Sequence, residues 1–408
     1  QVKAVIYHVS GVSIDTAMNT VPGTYYFTLT IGKTTSAVTT FTVLPISGIY
    51  IGANKMPKGE CHSLSDPDID WSNYTAGIIA EGTWNDLTNC YSSVADSYVS
   101  SIAGTSSVIY AGGYCVNTSG VDVAGYWVNG IWNALSNPFG EGCNARVNAL
   151  VLSGSTLYAG GYCMSSSGAN GQKVPGYWVN GVWNALSNGV ASGKDAIVKT
   201  LTLLNGTVYA AGYCKSSAGI KEAGYWMGTS GTWKAIVPLD GYNSEINGIA
   251  ASASEVYGVG YTYNGSIKCP VLWHITQNTF TPYGDSTIIN GLNYGINEVL
   301  TSIAIVGNTI YAGGYKGTDN SITQNAIPPQ GIVFQYDVTQ NTAEYWTGKE
   351  TDNSYVYAIA ATGANVYSTG CLHLYPSLGD IGYWTLFGGW ETFKLNFFGR
   401  GTSIIVIQ

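Results

Sequence analysis

The chain has 408 residues, only 10% of which are charged, and its net charge is −8 at pH 7. This balance excludes a nucleic-acid ligand, because binding to a phosphate backbone needs clustered Lys and Arg. No segment reaches the roughly 18 to 20 uninterrupted apolar residues that cross a bilayer, so we expect no membrane-spanning helix.

Residues 1–46 do not share the pattern of the rest of the chain. Thr24–Ile31 and Ala37–Leu44 alternate in polarity around Gly32 and Lys33, which predicts a short N-terminal β segment. The two segments resemble the last strands of a bacterial immunoglobulin-like domain. Such a domain needs roughly 100 residues, so we interpret residues 1–46 as a partial immunoglobulin-like segment with an open sheet edge.

Residues 47–408 carry an internal repeat. The phrase Val108–Cys115 followed by Gly125–Leu135 returns at Leu157–Cys163 with Gly176–Leu186. A period of about fifty residues is typical of a propeller blade. The array therefore predicts stacked copies of one small sheet.

Each repeat is expected to form four antiparallel strands. An apolar segment precedes a tight turn such as Ser153–Thr156, and the next segment ends in a double glycine. A Gly-Tyr-Trp segment follows, and then a two-residue turn such as Asn129-Gly130 leads into the fourth strand. Asn and Gly tolerate the positive φ that two-residue hairpin turns require.

The repeat resembles the kelch motif. The resemblance rests on the double glycine and on an aromatic pair six residues apart, Tyr126 with Trp132 and Tyr177 with Trp183. It implies an all-β fold built as a β-propeller of four-stranded antiparallel blades.

Seven tyrosines that end a strand predict seven blades: Tyr50, Tyr110, Tyr158, Tyr209, Tyr257, Tyr311 and Tyr367. The first unit lacks its own opening strand, whereas Thr402–Gln408 forms an opening strand with no blade after it. We therefore expect the C-terminal strand to be innermost in blade one and to close the ring.

The eight cysteines indicate an oxidising compartment, and hence an extracellular or cell-surface location. In four-stranded blades they fall on one face of the ring. Eight cysteines can be paired in 105 ways, and the positions of the loops favour one of them. The expected disulfides are Cys90–Cys115 and Cys143–Cys163 within blades, Cys61–Cys371 at the closure, and Cys214–Cys269 between blades four and five.

One metal site is considered. Asp66, Asp68 and Asp70 begin a calcium-loop pattern, but Trp71 stands where such a loop needs glycine. We expect no cofactor, with calcium as the alternative. Zinc is disfavoured because an oxidising compartment favours a disulfide between Cys61 and Cys371.

Three classes of function stay open. No nucleophile elbow, phosphate-binding loop or zinc-protease motif occurs, so we expect a non-enzymatic extracellular binding or adhesion protein. Its long loops would meet a protein or glycan at a surface through Trp71, Tyr74 and Tyr375. The alternative is a structural subunit of a surface layer, sheath or filament that self-assembles through residues 1–46. The third is a carbohydrate-active propeller enzyme with paired carboxylates.

Overall fold

A computed structural model gives the structure of most of the repeat region and of parts of the N-terminal segment. The residues described are 23–27, 30–31, 34–35, 39–43, 48–55, 75–80, 83–87, 90–91, 96–168, 171–228, 231–236, 241–263, 268–275, 280–281, 298–317, 330–340, 342–347, 353–363, 365–373, 382–385, 389–392 and 399–407. Among these residues there is no helix long and apolar enough to cross a membrane.

The N-terminal segment contains two nested antiparallel pairs of short strands. The strands are β1 (Gly23–Phe27), β2 (Thr30–Ile31), β3 (Thr34–Thr35) and β4 (Thr39–Val43). β1 pairs with β4 and β2 pairs with β3. The resemblance to an immunoglobulin-like domain remains a sequence-based interpretation.

Six four-stranded antiparallel sheets follow one another in the repeat region, and each uses four consecutive strands. We name them blades I to VI. Blade I contains β8 (Ser97–Thr105), β9 (Val108–Val116), β10 (Asp122–Val128) and β11 (Ile131–Ala134). Blade II contains β12 (Ala145–Ser153), β13 (Thr156–Met164), β14 (Lys173–Val179) and β15 (Val182–Ala185). Blade III contains β16 (Ala196–Leu204), β17 (Thr207–Lys215), β18 (Lys221–Met227) and β19 (Thr232–Ala235).

The other three blades have the same order. Blade IV contains β20 (Ser244–Ala251), β21 (Val256–Tyr263), β22 (Lys268–Ile275) and β23 (Phe280–Thr281). Blade V contains β24 (Glu298–Val306), β25 (Thr309–Lys316), β26 (Gln330–Asp337) and β27 (Thr342–Thr347). Blade VI contains β28 (Asn353–Thr362), β29 (Asn365–His373), β30 (Gly382–Thr385) and β31 (Gly389–Thr392).

A further sheet combines the two ends of the repeat region, and we name it the closing sheet. The C-terminal strand β32 (Gly399–Ile407) pairs with β5 (Gly48–Lys55), which continues into β6 (Thr75–Ala80) and β7 (Thr83–Asp86). The prediction that the C-terminal strand joins the first sheet is confirmed.

The prediction of seven blades is wrong, because the described part of the chain has six blades and a separate closing sheet. Six blades are continuous in sequence, whereas the closing sheet is composite and takes its innermost strand from the opposite end of the chain. The first strand of each blade contacts the first strand of the next, and β32 contacts both β28 and β8. The sheets therefore surround a common axis, and the first strands are the inner ones.

Each first strand carries a β-bulge that brings its backbone close to a glycine of the second strand. In blade II the register shifts between Val147 and Ala149. A Cβ added to Gly161 would lie 1.9 Å from the carbonyl oxygen of Arg146. Only glycine fits at this approach, which explains the second residue of the repeated Gly-Gly pair.

The tryptophans lie on the outer half of each blade. Trp178 is fully buried and its ring centroid lies 4.5 Å from that of Trp183 in the fourth strand. A Cβ added to Gly176 would lie 2.4 Å from the Trp183 ring, so the glycine of Gly-Tyr-Trp makes room for the second tryptophan. The turn between them has Asn180 at φ 46° and Gly181 at φ 87°, as the sequence predicts.

The disulfide predictions have mixed outcomes. Cys90 and Cys115 form a disulfide with a Cα–Cα distance of 6.0 Å, which confirms that prediction. The pairings Cys143–Cys163 and Cys214–Cys269 are not formed, because all four side chains are buried free thiols. The pairing Cys61–Cys371 lies outside the described side chains.

Candidate functional site

A tyrosine stands at the same register position near the end of the second strand in five consecutive blades. Inner strands begin at this end of the propeller, and we name it the tyrosine end. The repeated residues are Tyr114, Tyr162, Tyr213, Tyr261 and Tyr315. Each of them is buried.

The tyrosine side chains meet around the axis. Tyr98 stacks on Tyr114 in blade I, with ring centroids 5.6 Å apart. Tyr315 of blade V meets Tyr355 of blade VI at 5.0 Å. These four residues belong to one apolar cluster with Tyr261 of blade IV. Because blades I and IV are not neighbours in the ring, the cluster spans the axis.

A second ring of side chains comes from the bulge positions of the inner strands. The bulge residue Asn148 donates from Nδ2 to the Val198 carbonyl of the next blade at 2.7 Å. Three other bulge residues make the equivalent bond to the next sheet: Asn247 to Leu300, Thr301 to Val356, and Thr402 to Val99. The inner strands therefore present polar side chains that join successive sheets.

Cations lie over the repeated tyrosines. Lys173, Lys221 and Lys268 are each the first residue of a third strand, and Arg146 comes from the inner strand of blade II. Such contacts favour a cation most where water is excluded. The distances to the ring centroids are 4.2 Å for Arg146 over Tyr114, 5.0 Å for Lys173 over Tyr162, 4.7 Å for Lys221 over Tyr213 and 5.5 Å for Lys268 over Tyr261.

Glu245 is the buried carboxylate of this end. Its Oε2 accepts from Lys199 Nζ at 2.6 Å, and its Oε1 accepts from Lys221 Nζ. The hydroxyl of Tyr261 donates to the same Oε1 at 2.8 Å. Burial disfavours the ionised carboxyl, but the two lysines outweigh it and lower its pKa to about 2. Glu245 is therefore a permanent anion at neutral pH.

Glu298 is a buried acid with a different environment. Its side chain lies at the start of the blade V inner strand, is 1% exposed, and its Oε1 has no hydrogen-bond partner among the described residues. Burial raises its pKa to about 7, and Lys316 offsets part of that rise. A substantial fraction of Glu298 therefore keeps its proton at neutral pH.

The unmet hydrogen bond at Glu298 follows from the repeat. Ser244 and Ser354 stand at the same position in blades IV and VI, and each hydroxyl accepts from a third-strand N–H of the preceding blade. Their donors, Ala223 and Gly331, occupy the register position that Pro270 holds before Glu298. Proline has no N–H, so this donor is missing for Glu298.

The structure does not describe the residues that sequence analysis selected as ligand or metal contacts. Asp66, Asp68, Asp70, Trp71, Tyr74 and Tyr375 lie outside the described residues. Within the described residues no group of three or more His, Cys, Asp or Glu side chains could hold a metal ion. Calcium at the three aspartates remains a sequence-based hypothesis.

Sequence reasoning missed the tyrosine end, although a signal was present. Lysine recurs as the first residue of the third strand in three successive blades, at Lys173, Lys221 and Lys268, in a chain with few charges. A tyrosine also recurs directly after the glycine pair. A register comparison of the repeats would have placed these residues together.

Comparisons with known proteins do not assign a family. No family model matches the chain, and no curated protein matches it. Among solved structures, the β-propeller domain of the trilobed protease from Pyrococcus furiosus is similar at 7% identity and a TM-score of 0.44, over 79% of this chain and 90% of that one. A polysaccharide lyase described as an ulvan lyase is similar at 8% identity and a TM-score of 0.40, over 64% of this chain and 71% of that one. The sialidase of Trypanosoma rangeli is similar at 8% identity and a TM-score of 0.37, over 86% of this chain and 75% of that one.

One sequence-based expectation is corrected. Two of the three structures are described as a polysaccharide lyase and a sialidase. The expectation that this chain is not an enzyme rested on missing motifs alone and is withdrawn, together with the non-enzymatic adhesion role. The TM-scores are too low to assign a reaction, and the propeller fold rests on the sheets described above.

Proposed function

We propose that the chain is a carbohydrate-active propeller that works outside the cell and holds its site at the tyrosine end. The observation that carries the proposal is the contrast between Glu245 and Glu298. One carboxyl is held ionised and the other keeps a proton near neutral pH. Cleavage of a glycosidic bond by acid and base chemistry uses two carboxyl groups in such different states.

The roles in this proposal follow from the surroundings of each group. Glu298 supplies the proton to the glycosidic oxygen as the bond breaks, because it retains that proton without a competing hydrogen bond at Oε1. Water then adds to the anomeric carbon, and the Glu298 carboxylate takes back the proton that the water releases. Glu245, fixed by Lys199 and Lys221, provides a constant negative charge beside the reacting sugar.

The extracellular location is part of the proposal and is supported by the disulfide. Cys90 and Cys115 are joined across 25 residues of sequence. Disulfides form and persist in oxidising compartments and are rare in the reducing cytosol.

The experiment is a screen for saccharide cleavage. The full chain would be incubated with neutral and acidic polysaccharides, and new reducing ends would be measured for wild type, Glu298→Gln and Glu245→Gln. We expect each variant to lower the cleavage rate by about a hundredfold or more, since proton transfer alone contributes about 10²- to 10⁴-fold.

The matched control is Glu344→Gln, which changes an exposed glutamate on the outermost strand of blade V. It should cleave at the wild-type rate. Equal rates for Glu298→Gln and wild type would overturn the assignment of Glu298. Binding of a polysaccharide without any release of reducing ends would overturn the catalytic function.

A further inference from the structure

Five cations gather between blades II and IV of the tyrosine end. They are Arg146, Lys173, Lys199, Lys215 and Lys221, and they face three carboxylates, Asp122, Asp195 and Glu245. Glu222 is paired in register with Cys214, and strand alternation places it on the face of β18 opposite to Lys221. The local balance is therefore positive, although the whole chain carries a net charge of −8.

Each carboxylate of this group already forms an ion pair with at least one of the other four cations. Arg146 Nε donates to Asp122 Oδ2 at 2.7 Å, and Lys215 Nζ donates to Asp195 Oδ2 at 2.8 Å. Glu245 is shared by Lys199 and Lys221. No carboxylate is left for the remaining cation, Lys173.

Lys173 has an unusual environment for a partly buried ammonium group. Its backbone N–H donates to Asp195 Oδ1 at 3.0 Å, but its Nζ forms no ion pair within the described residues and lies over the Tyr162 ring at 5.0 Å. Burial lowers the pKa of Lys173, and the positive charges of Arg146, Lys215 and Lys221 lower it further, against the opposing effect of Asp195. A bound anion would relieve both the desolvation and the repulsion.

The cations around Lys173 remain open to solvent. The side chains of Arg146, Lys215 and Lys221 are 31%, 32% and 34% exposed, so each is partly in contact with solvent. Tyr162 and Tyr213 are buried beneath Lys173 and Lys221 and hold these ammonium groups in place. Several cations in contact with solvent suit a ligand that carries a carboxylate or sulfate group.

We propose that Lys173, with Lys215, Lys221 and Arg146 around it, forms a subsite for the carboxylate or sulfate group of an acidic polysaccharide. The identity of the ligand as a saccharide rests on the proposed function, whereas the anion subsite itself rests on the cation cluster. Lys173 is a binding residue in this inference and takes no part in bond cleavage.

The test measures binding by calorimetry to four probes at low and moderate salt. The probes are polygalacturonate, dextran sulfate, unmodified dextran and sodium sulfate. The proteins are wild type, Lys173→Met and the matched control Lys234→Met. Lys234 also lies over a tyrosine ring, Tyr225, at 6.0 Å, but on the outermost strand of blade III.

We expect wild type to bind one or both acidic polymers and not dextran, with affinity that falls as salt rises. Lys173→Met should weaken this binding by about 10- to 100-fold, the range for loss of a charged hydrogen bond, while Lys234→Met binds like wild type. Thermal unfolding of both variants would confirm that each is folded. Should Lys173→Met fail to fold, Lys173→Gln and competition by sodium sulfate against the bound polymer would replace it.

The other outcomes separate the two proposals. Equal binding of dextran and dextran sulfate, or equal losses for Lys173→Met and Lys234→Met, would overturn the anion subsite and leave the carbohydrate function standing. Binding of sodium sulfate that needs Lys173, without binding of any polymer, would support the subsite and overturn the saccharide function. Absence of binding by all four probes would overturn the subsite.

Discussion

The outer half of each blade and the tyrosine end differ in how strictly they repeat. In blades I, II and III the buried tryptophan of the third strand meets the tryptophan of the fourth strand at the same centroid distance, 4.5 Å. At the tyrosine end, the inner-strand position opposite the repeated tyrosine changes in every blade. It is Tyr98, Arg146, Ile197, Glu245 and Val299 in blades I to V.

The difference separates the residues that build the fold from those that give one end its chemistry. A position that packs against the same neighbour in successive blades accepts one residue type, because the space for it has one shape. A position beside the axis has different neighbours in each blade and can vary. Candidate functional residues in a repeat protein are therefore found where the repeat is broken at a buried position.

The largest effect is expected at the repeated glycine of the second strand. Gly161→Ala places a Cβ 1.9 Å from the Arg146 carbonyl oxygen, so the inner strand must move at its bulge. We expect a loss of about 3–5 kcal/mol in unfolding free energy, at the upper end of single-residue effects. Urea denaturation would measure it. Gly142→Ala is the control, since a Cβ there meets nothing within 4 Å. Equal stability of the two variants would contradict this account of the glycine pair.

The sequence predicted the residues that repeat from blade to blade and missed the residues of the tyrosine end that vary. The Asn129-Gly130 turn, the glycine pair and the position of the C-terminal strand follow from local chemistry that each repeat shows again. The network around Glu245 joins Lys199, Lys221 and Tyr261 across 46, 24 and 16 residues of sequence. Strand pairing within blade IV brings in Tyr261, and the packing of blade III against blade IV brings in the two lysines. The predicted pairing of Cys143 with Cys163 is not formed, although both thiols are buried and Cys143 is close enough to affect the pKa of Cys163.

A second prediction concerns the ionised acid of the tyrosine end. The pKa of Glu245 is lowered from 4.5 to about 2, so its stabilising contribution is present above pH 4.5 and is lost as pH falls through about 2. We expect Glu245→Gln to cost about 2–3 kcal/mol at pH 7, and the difference from wild type to shrink as the pH is lowered to 2. Denaturant titrations at several pH values would measure both. A difference that does not change with pH would show that the lysines do not hold the charge.

The effect expected for Glu298 is no larger than that for Glu245, and it has the opposite sign with pH. Its pKa is raised from 4.5 to about 7, so the folded chain holds an extra proton between these values and loses stability as pH rises through them. Glu298→Gln cannot ionise and avoids this loss. Relative to wild type, the variant should therefore gain about 2–3 kcal/mol between pH 4.5 and pH 8.

Glu344→Gln again serves as the exposed control and should follow the wild-type pH profile. Denaturant titrations of the three proteins at pH 4.5 and pH 8 would measure the change. A constant offset between Glu298→Gln and wild type would mean that Glu298 is ionised throughout, and the contrast with Glu245 on which the proposed function rests would be lost. A gain confined to the upper pH range would show that Glu298 keeps its proton at lower pH. The cause would then be the break in the repeat, where Pro270 supplies no N–H to Glu298.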